Sequence, residues 1–262
     1  MILFPMVLGQ SDIIFWTAFT GIISALATGL GAIPVHFVHK KSKVVRAFSS
    51  AAAAGMMISA SVFSLAQEGI ALKDKFPLSP YIVILGLLLG ASFFRYTEKN
   101  FSDPHVYQNF LGKNFTKRGL LIFIAMFIHS IPEGIAIGVA FATGNFHFGL
   151  IMAIAITVHN IPEGIAVSLP LRAKGVSTLK CAGWAIFTSV PQPVFAVPAF
   201  LLVSLFHPLL PFGLGFAGGA MMFLVASELM PESIATCSRS ETAWGFMIGL
   251  VLMLLFTSGL GL

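Results

Sequence analysis

The chain has 262 residues, of which 57% are hydrophobic and 10% charged, and its mean hydropathy is +0.93. Soluble domains carry about 25% charged residues, so fifteen basic and ten acidic side chains cannot clothe a soluble enzyme, and a disordered chain or a nucleic-acid binder is excluded as well. The net charge of +5 reads instead as a record of which loops face the cytosol.

Eight apolar stretches follow one another, at about 13–35, 48–72, 80–97, 119–143, 148–171, 181–206, 211–236 and 242–262. Each is long enough, or nearly so, for the roughly 20 residues of a membrane span. None alternates with period two, which argues against a transmembrane barrel. The expected fold is an all-α integral membrane bundle of eight helices, a single transmembrane domain over residues 1–262. The opening MILFPMVLGQ lacks a basic n-region and reads as a lead-in to the first helix. Cys181 and Cys237 are expected as free thiols.

The loops orient the bundle. Lys40, Lys41, Lys43 and Arg46 follow helix one; Arg95, Lys99, Lys113, Lys117 and Arg118 follow helix three; Arg172, Lys174 and Lys180 follow helix five, and Arg239 follows helix seven. The alternate loops hold only Lys73 and Lys75. The positive-inside rule then puts both termini outside the cytosol and the loop at about 98–118 within it. On this reading Asp12 before helix one, and Gln67 and Glu68 at the outer end of helix two, are candidates to attract cations at an entrance.

Helices four and five carry a repeat. Residues 129–136 read HSIPEGIA and residues 159–166 read HNIPEGIA, seven of eight positions matching thirty residues apart. The two helices run in opposite directions, so equal motifs imply a pseudo-two-fold axis in the membrane plane. His129 and Glu133 are spaced i, i+4 and share a helix face, as do His159 and Glu163. A carboxylate at mid-membrane costs about 2.5–3.5 kcal/mol, and such groups persist where they line a cavity, pair or bind an ion. Imidazole with carboxylate suits a divalent transition metal such as Zn²⁺, and four such ligands could close a tetrahedron. Pro132 and Pro162 are expected to bend their helices, and Gly134 and Gly164 to permit close helix approach.

Helix six contains SVPQPVFAVP, with Gln192 between Pro191 and Pro193 and with Pro198 beyond. Backbone broken at that depth is tolerated beside a cavity, which makes Gln192 a site-lining candidate. Helix seven contains SELMPES; Glu228 and Glu232 share a face toward the cytosolic side and are candidates for an exit path. The GxGxxG of Gly213, Gly215 and Gly218 follows no strand and reads as helix packing. Neither a phosphate-binding loop nor an HExxH helix is present.

Paired HNxPEG-type motifs on helices four and five of an eight-helix bundle resemble the ZIP family of divalent metal transporters, most closely its compact bacterial and organelle branch. The resemblance spans all eight helices. It implies ATP-independent movement of Zn²⁺, and often Fe²⁺, Mn²⁺ or Cd²⁺, toward the cytoplasm by an elevator-like alternating access, in a homodimer embedded in the lipid bilayer. It implies a primary metal site at His129, Glu133, His159 and Glu163, with the metal as cargo and no resident cofactor. Where the family commonly has Asn and Glu, this chain has Ser130 and Gln192, while Asn160 keeps the usual residue. A second metal site built in relatives from those positions is therefore expected to be weak here. Two rivals use the same groups: an intramembrane zinc hydrolase with an activated water, and a proton-linked carrier of an organic substrate.

Overall fold

The computed structural model describes residues 9–37, 43–101 and 117–259. All regular structure among them is helical. Eight helices are long and apolar enough to cross a membrane: α1 Gln10–Phe37, α2 Ala47–Asp74, α3 Ser79–Asn100, α4 Phe123–Ala142, α5 Phe146–Ala173, α6 Thr178–Leu205, α7 His207–Thr236 and α8 Arg239–Gly259. They match the eight expected stretches to within a few residues. The main shift is at the end of α3, whose helix runs on to Phe101, so that Glu98 is helical and not in the loop. Residues 102–116 of that loop, with His105, lie outside the described residues, as does His39.

Local chemistry sets several ends. Gly144 turns the chain with φ +80°, and the Asn145 side chain then accepts from Phe148 N at 3.2 Å to start α5. Ser238 and Glu241 close a reciprocal cap at α8: Glu241 Oε2 accepts from Ser238 N at 2.9 Å, and Ser238 Oγ accepts from Glu241 N at 3.2 Å. Asp12 has a similar task, since its carboxylate accepts from Gly9 N at 2.9 Å at the start of α1.

The packing has the expected symmetry. α3 packs along α7 as α2 packs along α8, α4 packs on α6 as α5 packs on α1, and α4 meets α7 as α5 meets α2. Exchanging α1–α3 for α6–α8, and α4 for α5, thus returns the same arrangement. Because α4 and α5 are joined by a tight turn and run antiparallel, the exchange inverts the bundle. Two pairs of irregularities obey it. α2 and α7 each contain a π-helical stretch, Ala60–Ala66 and Val225–Leu229. α1 tightens into a 3₁₀ turn at Gly29–Gly31, and α6 breaks between Thr188 and Pro191. The two breaks face each other through a 2.7 Å hydrogen bond between Thr28 and Ser189 hydroxyls. Pro132 and Pro162 lie inside helices that continue through them, and the break in α6 falls at the Pro-rich segment where the sequence placed it.

Most of the core lies on α2, α4, α5 and α7, including Met57, Ile137, Met152, Ile156 and Met221. The outer faces of α3 and α8 are apolar and exposed, with Tyr81, Leu88, Trp244 and Leu255 each at least 65% accessible. That distribution is what a hydrocarbon surrounding permits and water does not.

Candidate metal centre

The two repeated motifs meet at the middle of the bundle. Glu133 on α4 and His159 and Glu163 on α5 each offer a ligand atom, and these atoms all lie within 4.8 Å of one another. All three residues are at most 2% exposed. Ligands around a tetrahedral Zn²⁺ at 2.0–2.1 Å stand about 3.3 Å apart, so a contraction of at most about 1.5 Å would close the group on an ion.

The hydrogen bonds leave the group short of positive charge. Glu133 accepts at both oxygens, from His159 Nε2 at 2.9 Å and from Gln192 Nε2 at 2.6 Å. Glu163 Oε1, His159 Nδ1 and Asn160 Oδ1 are buried and have no hydrogen-bond partner. A carboxylate and a ring nitrogen left that way in a low-dielectric interior are costly, and a dication between them would satisfy both.

His129 is not brought into this group. Its Nδ1 donates to the Ala125 carbonyl one turn back, and its ring packs edge-on against Phe94 with centroids 5.5 Å apart. That bond fixes the proton on Nδ1 and leaves the Nε2 lone pair buried without a partner, which is how a metal-binding histidine is commonly held. The geometry therefore gives three converging ligands and a fourth on an adjacent turn, not a closed set of four. His159→Ala is expected to weaken Zn²⁺ binding about 100-fold and His129→Ala nearer to tenfold, as read by calorimetric titration of the purified protein. Equal losses would place the two rings on one ion in the same step.

The other expected residues divide. Asn160 and Gln192 adjoin the centre, with Asn160 Nδ2 donating to Gln192 Oε1 at 3.1 Å. Ser130 Oγ bonds back to Met126 O at 3.3 Å on its own helix. Glu228 lies in the π-helical stretch of α7, with Glu98 of α3 and Glu232 as carboxylate neighbours. At the opposite end, a cavity of about 450 Å³ opens between α1, α4, α6 and α7, lined among others by Gln10, Lys75, Thr143, Ser204 and His207. None of the entrance candidates lines it: Asp12 caps α1, Gln67 is exposed, and Glu68 is half-buried within electrostatic reach of Lys75.

Two residues of this region escaped the sequence reading. Ser24 on α1 receives hydrogen bonds from Asn160 at both its oxygens, yet in GIISALAT it is one small polar residue in an apolar helix, with no spacing signal. Glu98 was hidden because RYTEKN reads as a helix end entering a polar loop; its i, i+3 distance from Arg95 could have kept it helical.

Comparison with known proteins decides the lineage. Residues 103–257, more than half of the chain, match the family model described as ZIP Zinc transporter. The chain belongs to the ZIP family. It is 36% identical over 246 residues to the zinc transporter GufA of Myxococcus xanthus, covering 92% of this chain and 97% of GufA. It is 32% identical over 250 residues to the zinc transporter ZIPB of Bordetella bronchiseptica, covering 90% and 78%. It is 30% identical over 255 residues to the zinc transporter ZupT of Escherichia fergusonii, covering 92% and 97%. As a ZIP protein the chain is a multi-pass membrane transporter of metal ions, not an enzyme, and metals are its substrates and not its cofactors. The hydrolase reading drops out on that ground.

Proposed function

We propose that this ZIP protein carries Zn²⁺ toward the cytosol without ATP, loading it at Glu133, His159 and Glu163 with His129 as the adjoining ligand. The observation that carries this reading is the buried trio with its unpartnered Glu163 oxygen and His159 nitrogen. A structural ion pair would have consumed those groups; a passage for dications needs them free. Extracytosolic termini follow from the split of basic loops, and Glu228, with Glu98 and Glu232 as carboxylate neighbours, receives the ion on the basic side. Fe²⁺, Mn²⁺ and Cd²⁺ present similar ligand demands and compete at the same site. A homodimer in the bilayer is the assembly in which we place it.

Polar ties support an alternating-access movement. Asn160 with Ser24 and Gln192, Gln192 with Glu133, and Thr28 with Ser189 bind α1, α4, α5 and α6 into one unit. Ser233 of α7 bonds Ala47 O of α2 and Thr242 of α8, and α3 packs along α7, which joins the other four. Between the units the contacts are apolar, such as Met56 and Met253 with Ala155. An apolar cavity of about 370 Å³ lies on the same seam, between Val139 of α4, Ala199 of α6 and Gly213 of α7. Apolar contacts of this kind slide at low cost.

Uptake of radiolabelled Zn²⁺ into proteoliposomes tests the reading; vesicles that accumulate none above protein-free controls would end it. Ligating histidine must be neutral and ligating carboxylate ionised, so binding releases protons. Zn²⁺ affinity should accordingly fall as the pH is lowered from 7 toward 5, measured by titration at fixed ionic strength, with buffer-dependent heats reporting the proton release. An affinity that is flat or rises in acid contradicts the ligand set.

A further inference from the structure

α6 ends at Leu205 and α7 begins at His207, so one residue, Phe206, joins them. Both helices pack along α4, with the apolar cavity of about 370 Å³ between them. Its floor is buried and is made by Val139 of α4, Val203 of α6 and Gly213 of α7. The floor is one side chain wide, since a Cβ on Gly213 would stand 3.0 Å from Val139 and 3.6 Å from Val203. The rim is open. Phe195 and Leu202 on α6 are 38% and 59% exposed and continue into Val194, Leu205 and Phe206, exposed apolar residues on the outside of the bundle. Among the described residues, no polar side chain lines the cavity.

These features select an occupant. A buried water needs polar partners, and the lining offers none. A helix of another chain is at least about 10 Å across with its side chains, too broad for a floor one side chain wide. An unfilled wedge forfeits the dispersion contacts of its lining. The rim is continuous with the surface that lies against hydrocarbon, where thin, flexible apolar chains are abundant. We propose that the cavity seats one acyl chain of a membrane phospholipid, entering between Leu202 of α6 and Phe216 of α7 and reaching Gly213. The headgroup stays at the surface beside Phe206, since nothing polar waits inside. α4 and α6 belong to one unit and α7 to the other, so the chain lies across the seam. On the alternating-access reading above, on which this step rests, the chain withdraws before α7 can close on α4 and α6. The acyl composition of the bilayer thereby enters the transport rate.

The test uses the full-length protein in phosphatidylcholine liposomes that include a small share of phosphatidylcholine with a diazirine on its acyl chain. After irradiation, peptide mass spectrometry locates the adducts. A seated chain labels the buried floor, at Val139, Val203 or Gly213, which a chain passing over the outer surface does not reach. Adducts confined to exposed residues such as Val194 and Leu205 overturn the proposal. Ala199→Phe, on the half-buried wall of the cavity, puts a ring where the chain would lie. It should clear the floor adducts and keep those on Val194 and Leu205, with unchanged elution on size exclusion. Floor labelling that persists in this variant at the wild-type level also overturns the proposal, because the probe then arrives by another route. The same variant reads the rate. A tethered ring cannot withdraw, so Zn²⁺ uptake should fall about tenfold while Zn²⁺ affinity by titration stays unchanged. Uptake at the wild-type rate refutes the place of the chain in the path. Failure of the alternating-access reading looks different: the wild type would then carry no Zn²⁺ while the floor adducts remain.

Discussion

Glu163→Ala, reconstituted into liposomes, should carry no Zn²⁺ above background while its thermal midpoint in detergent stays where it was or rises. The two halves of that result have one cause. Glu163 presents a buried oxygen with no hydrogen-bond partner, at the depth where a carboxylate costs about 2.5–3.5 kcal/mol to insert. Deleting it removes a cost of folding and the strongest attraction for a dication together. Glu133→Ala should abolish transport equally but should also lower stability by about 1–3 kcal/mol, because His159 Nε2 and Gln192 Nε2 each lose their acceptor. Glu163→Gln distinguishes charge from shape: it keeps an oxygen in place and should remain inactive. Paired measurements of uptake and melting on the three variants check this. A Glu163→Ala protein that reaches the membrane and transports normally removes the site, and one that is strongly destabilised shows that Glu163 is a structural partner after all.

That contrast marks how far the sequence carries. Two His–Glu pairs in a repeated HxIPEGIA frame announced their helices, depth and chemistry, because i, i+4 spacing fixes a shared face before any tertiary contact exists. The eight spans were equally legible, since apolar length is a local property. What distinguishes Glu133 from Glu163 is not local. Glu133 meets His159 and Gln192 across gaps of 26 and 59 residues, while Glu163 meets no such donor, and no pattern along either motif encodes that difference. His129 stands apart for a similar reason: its ring nitrogen is taken by the carbonyl of its own preceding turn, an alternative that spacing leaves open. Ser24 was invisible because its meaning comes wholly from Asn160, 136 residues away. Asp12, a candidate entrance charge, also accepts from Gly9 N at the start of α1, a bond that its spacing alone does not announce.

Gly164→Ala should be the most damaging single methyl group in the protein. A Cβ there would stand 1.8 Å from the Thr28 carbonyl oxygen and 3.2 Å from Gly31 Cα, so the obstacle is main chain, which no rotamer change can move aside. On the symmetry-related helix, a Cβ at Gly134 would meet Gln192 O at 2.4 Å. The glycine of each PEG motif thus presses α5 onto α1 and α4 onto α6, so the close approach read from sequence is to α1 and α6. These are also the places where α1 and α6 break and where Thr28 and Ser189 join. Forcing α5 from α1 would stretch the contact between Asn160 and Ser24 and so loosen the hold on Glu133. Overpacking usually costs about 1–3 kcal/mol, and with backbone on the far side the upper end or more is expected. That is a fall of several degrees in thermal midpoint for a chain of this size, with Zn²⁺ uptake reduced at least tenfold. Gly183→Ala is the matched control, since a Cβ at that helical position meets nothing within 4 Å. Replacing an exposed helical glycine by alanine gains about 0.5–1 kcal/mol, so this variant should melt at or above the wild-type temperature and transport normally. If Gly164→Ala behaves like Gly183→Ala, α1 and α5 do not meet through main chain at Gly164.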